Sequence, residues 1–95
     1  MALYLISYDI AEKDRGEYED LWAYLAQIHA VRILYSEWVV PGNTGLASLI
    51  YERLSPLIRR DDRLLVQEVT KDCAWDRLLI SDGVFRSLVT ENARG

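Results

Sequence analysis

"LYLISYDI", residues 3–10, is the stretch from which the fold is read. Side chains alternate across a strand, so Leu3, Leu5 and Ser7 share one face and Tyr4, Ile6 and Tyr8 the other. Both faces are apolar or aromatic, and both ask for cover. Helices of a two-layer sandwich cover one face of a sheet, so the other needs a second cover. The run closes on Asp9. A carboxylate at a strand end is either a turn former that accepts backbone N–H groups, or a ligand for a hard cation such as Mg²⁺.

The composition limits the answer. A chain of 95 residues suits a single domain over 1–95. With 51% hydrophobic and 27% charged residues it reads as globular. No apolar run approaches the ~20 residues that span a bilayer. The opening "MALYLISYDI" lacks the basic start and cleavage site of a signal peptide. Cys73 is the single cysteine, so no internal disulfide and no thiolate cluster can form. A cytoplasmic setting fits these features. Eleven basic against fifteen acidic residues give a net charge of −4. Nucleic-acid binders usually carry the opposite sign, which predicts weak binding of bare duplex by this chain alone. The large apolar fraction points to an oligomer.

Outward from the first strand, Asp14 and Glu17 are spaced as a capping box. A helix follows over about 16–28, with Tyr18, Leu21, Trp22, Leu25 and Ile28 on one face. "AVRILYSEWVV", 30–40, is a second β segment. Alternation groups Arg32, Leu34, Ser36, Trp38 and Val40 on one side of it. "PGNTG", 41–45, is a turn, and a second helix runs over about 46–58, ending near Pro56. "RLLVQEVT", 63–70, is another strand. "CAWDRLLI", 73–80, is predicted as a short edge strand. "SDGVFRSLVTENA", 81–93, is a helix capped by Ser81 or Asp82. This order predicts an α+β, ferredoxin-like two-layer sandwich of the split βαβ type, with an extra C-terminal strand and helix. Both central helices lie on one sheet face. The fold needs two strands between them, so residues 30–45 break near Ser36 or at the "PGNTG" turn, or form one long bent strand.

Tyr8-Asp9-Ile10 at the end of the first strand, and Arg32, Ile33, Ser36 and Trp38 in the second segment, resemble the two motifs of the CRISPR-associated Cas-two family. The related VapD-like and SinR-like small proteins share the layout. The resemblance covers residues 3–70. Leu34 and Glu37 depart from the family pattern, as does the tail from Lys71 onward. The resemblance implies a symmetric homodimer with facing sheets and Asp9 near its mate at the two-fold axis. It also implies a role with nucleic acid in a CRISPR or toxin–antitoxin setting. That role is either a Mg²⁺-dependent endonuclease acting on RNA or DNA, or a non-catalytic scaffold that holds nucleic acid or a protein partner. Fold similarity alone does not choose between them.

The candidate site residues follow. Asp9 is the metal candidate, and Tyr8, Asp9, Arg15, Arg32 and Ser36 are the catalytic candidates. Arg15 and Arg32 carry guanidinium forks suited to phosphate, or pair with the acidic first helix. Trp38 stacks on a base or packs in the dimer interface. His29 ends the first helix, and no Ser-His-Asp or Cys-His set can be assembled. Arg59, Arg60 and Arg63, interrupted by Asp61 and Asp62, read as a solvated loop.

Overall fold

A computed structural model describes residues 1–10 and 18–95. The elements are β1 (Ala2–Asp9), α1 (Glu19–Gln27), β2 (Val31–Leu34), β3 (Glu37–Gly42), α2 (Ala47–Leu54), β4 (Arg63–Val69) and α3 (Asp82–Asn92). A short 3₁₀ turn, Ser55–Leu57, closes α2 at Pro56, where the ring removes a helical donor. The β segment after α1 is two strands, and the break falls at Tyr35–Ser36. A register shift between Arg32 and Leu34 marks the approach to that turn. The expected capping box at Asp14 and Glu17 lies outside the described residues.

The strands form one sheet in the order β2-β3-β1-β4. Every neighbouring pair is antiparallel. β1 is therefore interior, with Leu3 opposite Pro41 on one side and Val69 on the other. Its two apolar faces find two different covers. Tyr4, Ile6 and Tyr8 pack with Trp38 and Val40 beneath α1 and α2, through Tyr18, Leu21, Leu25 and Leu54. The Tyr4 hydroxyl also accepts from Leu46 N at 2.9 Å and donates to Asn43 O at 2.5 Å, which fixes the entry to α2. On the opposite face Leu3, Ile33 and Val39 pack against Phe85, Val89 and Ala93 of the tail.

This second cluster revises the sequence expectation. The chain itself covers part of the face assigned to a two-fold partner, and helices lie on both sides of the sheet. The cover is incomplete. α3 lies over the Leu3 end, while toward Asp9 the side chain of Leu65 stays 53% exposed and Gln67 is exposed as well.

Residues 73–80 are not a strand. Arg77 has a φ of 52°, a left-handed bend that breaks an extended run. Trp75, Leu78 and Ile80 pack instead onto the second cluster, and Leu79 N donates to Ile33 O at 2.9 Å on the β2 side. The helix after them is as expected. The Ser81 hydroxyl accepts from Val84 N at 3.2 Å and caps it. The chain then returns to β4, where Thr70 and Arg94 form a parallel bridge and Lys71 N donates to Arg94 O at 2.9 Å. Arg94 grips Glu68 with two bonds of 2.6 Å, and that grip holds the Glu68 carboxyl below its ordinary range.

His29 explains how α1 stops. Its φ is 64°. His29 N donates to Ala26 O at 3.1 Å and Ala30 N to Leu25 O at 2.9 Å, the paired pattern of a Schellman ending that usually carries glycine. The histidine at this helix end is a stop device.

Candidate functional site

Antiparallel pairing brings the end of β1, the β2–β3 hairpin and the start of β4 to one end of the sheet. Five of the sequence candidates meet here. Tyr8 N donates to Ser36 O at 3.1 Å, tying β1 to the hairpin turn. Arg32 lies opposite Trp38 in the hairpin ladder. On the other side of β1, Asp9 pairs with Arg63 in register.

The Tyr8 hydroxyl is the hub of the helix-side half. It accepts from Trp22 Nε1 and from Trp38 Nε1, each at 3.1 Å. Tyr8 is 5% exposed, so burial places this oxygen where two indole donors need it. Arg32 sits above the same pair of rings, its guanidinium carbon 5.8 Å from the Trp22 centroid and 5.7 Å from that of Trp38. Such stacking contributes roughly 0.5–1 kcal/mol per ring at exposed sites. Its Nε donates to Tyr35 O at 3.0 Å, and Nη2 bonds the same carbonyl. Arg32 thus pins the hairpin turn while resting on two indoles. Trp38 is buried by the chain itself, in the core beneath the helices, rather than left exposed for a partner to cover.

Asp9 occupies the opposite face, as alternation requires. Its carboxylate lies 3.4 Å from Arg63 Nη1, with the two side chains 75% and 84% exposed. Arg63, which opens the strand expected over 63–70 but reads by its charge pattern as part of a solvated loop, is the cross-strand neighbour of Asp9. Glu37 is a second residue that composition did not flag. It faces Ser7 in the ladder, so it shares the Asp9 face as a diagonal neighbour, about 7–8 Å away for residues so placed. The signal was present as strand alternation, but the register between β1 and β3 was needed to use it. A shallow cavity of about 320 Å³ opens between Ser7, Asp9, Arg63 and Leu65.

Arg15 lies outside the described residues. Ser36 contributes its carbonyl to the β1 bond, and the residue itself is exposed. Among the described residues no three His, Cys, Asp or Glu side chains converge as a cation site. Mg²⁺ takes one or two carboxylates and keeps several waters, and the Asp9 carboxylate that would supply one of them lies against Arg63. The described charges at this end are mixed: Arg32, Arg59, Arg60 and Arg63 stand among Asp9, Glu19, Asp20, Glu37, Asp61 and Asp62. Asp62 is committed to structure, accepting from the Tyr18 hydroxyl at 3.0 Å and from Arg59 N at 2.8 Å. No helix is long and apolar enough to cross a membrane among the described residues. No protein-family model matches the chain.

Proposed function

We propose that this chain is a ferredoxin-like, Cas-two-like module that acts as a homodimeric scaffold for a nucleic acid or protein partner. The observation that carries the proposal is the open half of the second sheet face, where Leu65 is exposed and Leu5 half-buried beside Ser7 and Asp9. Exposed apolar side chains on a sheet face favour a mate, and a two-fold copy supplies one. Leu34 and Tyr35, exposed at the neighbouring hairpin, widen the apolar surface. The strand order β2-β3-β1-β4 with all neighbours antiparallel supports the ferredoxin-like reading. A net charge of −4, doubled in a dimer, disfavours a role that rests on phosphate attraction alone.

A scaffold reading is preferred to a nuclease reading because the motif residues are engaged in holding the hairpin. Tyr8 receives two indoles, Arg32 binds a turn carbonyl, and Ser36 bonds β1 through its backbone. The Mg²⁺-dependent endonuclease remains a second reading, favoured by the exposed Asp9 carboxylate with Glu37 on the same face. It requires a two-fold partner to bring two such carboxylates together. A bound Mg²⁺ would then supply an activated water and charge stabilisation at a phosphate.

Sedimentation of the wild type and of Leu65→Glu tests the proposal. A wild-type dimer at micromolar concentration that Leu65→Glu converts to monomer is expected. A wild-type monomer would overturn the dimer. Mg²⁺-dependent cleavage of RNA or DNA that Asp9→Asn abolishes would replace the scaffold with the nuclease.

A further inference from the structure

α1 and α2 lie on the same sheet face but part at the end away from the hairpin. A cleft of about 230 Å³ opens between them, running down to the end of β3. Its walls are apolar: Ile28 from α1, Leu49 and Ile50 from α2, with Gly42 at the floor. Gly42 lets the floor lie deep, since a Cβ there would come 3.2 Å from Leu46 Cδ1 and narrow the base.

Two polar side chains line this cleft, Tyr24 and Arg53. The phenol of Tyr24 and the guanidinium of Arg53 have no hydrogen-bond or ion-pair partner among the described residues. Both are donors, and no lining residue is acidic. An apolar cleft with a cation and a hydroxyl donor at its wall is complementary to an apolar body that carries one carboxylate. Guanidinium and carboxylate match in geometry as well as in charge. Ligand sites of this kind are apolar with a few placed polar groups, and drug-sized ones run to about 300–1,000 Å³. The smaller volume here selects a small molecule.

We propose that the α1–α2 cleft binds a small apolar monocarboxylate, such as a medium-chain fatty acid, with its chain between Ile28, Leu49 and Ile50 and its carboxylate on Arg53 and Tyr24. The site lies on the helix side of the sheet, away from Asp9 and the open face. It is therefore independent of the scaffold reading and of the dimer.

The test titrates the full-length, ¹⁵N-labelled chain with octanoate, 1-octanol and acetate, following the amides of Ile28, Gly42 and Leu49. Saturable shifts with octanoate, confined to the cleft, are expected. Arg53→Gln should weaken octanoate about tenfold, as loss of a charge-assisted contact does, and leave octanol unchanged. Leu49→Trp should abolish both, because the indole fills the cleft. Leu49 is already 44% exposed, so this variant should keep the wild-type circular dichroism. Arg53→Gln, a surface change, serves if it does not. Acetate should give no saturable shift. Equal binding of octanoate and octanol, octanoate binding unmoved by Arg53→Gln, shifts centred on Leu65 and Ser7, or no saturable shift at all would each overturn the proposal.

Discussion

Tyr8→Phe removes one oxygen and keeps the ring. In the fold that oxygen is the acceptor for Trp22 Nε1 and Trp38 Nε1. The Trp38 donor is buried, and a buried donor left without a partner costs about 1–3 kcal/mol. The Trp22 donor is only part-buried and recovers some hydration, so its loss is nearer the net worth of a hydrogen bond, about 0.5–1.5 kcal/mol. The two together give a destabilisation of about 2–4 kcal/mol. For a domain of this size that corresponds to a fall in Tm of roughly 10–20 °C. Urea unfolding followed by tryptophan fluorescence measures it directly, and a double-mutant cycle with Trp38→Phe isolates the pair. The cycle should be non-additive, since Trp38→Phe removes the donor that Tyr8→Phe would orphan. A loss below about 0.5 kcal/mol, within the range of ordinary surface changes, or full additivity in the cycle, would refute the hub role of the phenol.

Asp9→Asn should shift stability by no more than about 0.5 kcal/mol, because exposed ion pairs such as Asp9–Arg63 contribute little; chemical denaturation checks it. His29→Gly should stabilise by about 0.5–1 kcal/mol by relieving the left-handed backbone at the end of α1, read as a raised Tm. Ser81→Ala should cost about 1 kcal/mol by removing the α3 cap and should raise amide exchange in α3 before β1. Asp82 accepts from Arg86 at 2.9 Å and from Trp75 Nε1 at 2.6 Å, and the Arg86 bond first, then that of Trp75, lowers its pKa below the ordinary 3.8. A depressed carboxylate stabilises the fold above its unfolded value, and that contribution is lost as pH falls through the folded value. Below pH 3.8 the Trp75 indole resonance should therefore shift, and in Asp82→Asn that acid step should vanish.

The sheet was legible because its cue is local. "LYLISYDI" carries its period in adjacent residues, and the helix faces of Leu21 and Leu25 follow the same logic at a longer spacing. The break at Tyr35–Ser36 was one of the alternatives that spacing left open; what decided it was the pairing of Glu37 with Ser7. The path of the tail was not legible. Trp75, Leu78 and Ile80 fit neither period, and a left-handed Arg77 leaves no mark in composition. At the site, Tyr8, Arg32, Ser36 and Trp38 were recognised as a group, yet their mutual engagement was not, since hydrogen bonds across 14 and 30 residues depend on tertiary placement. Arg63 and Glu37 were missed for the same reason. The α1–α2 cleft depends on how far two helices stand apart, a distance no side-chain pattern encodes.

The route of residues 71–95 has a consequence for the order in which the chain becomes safe from self-association during synthesis. Residue 79 docks on β2 and residue 94 on β4, so the same segment touches both margins of the sheet. A ribosome makes this segment after all four strands. While it is missing, both margins offer bare backbone groups, and Leu3, Ile33 and Val39 lack the tail side chains packed on them. Margins in that state are templates for pairing with another nascent chain. The β2 margin is covered when residue 79 docks there, and the β4 margin when Arg94 closes on Glu68.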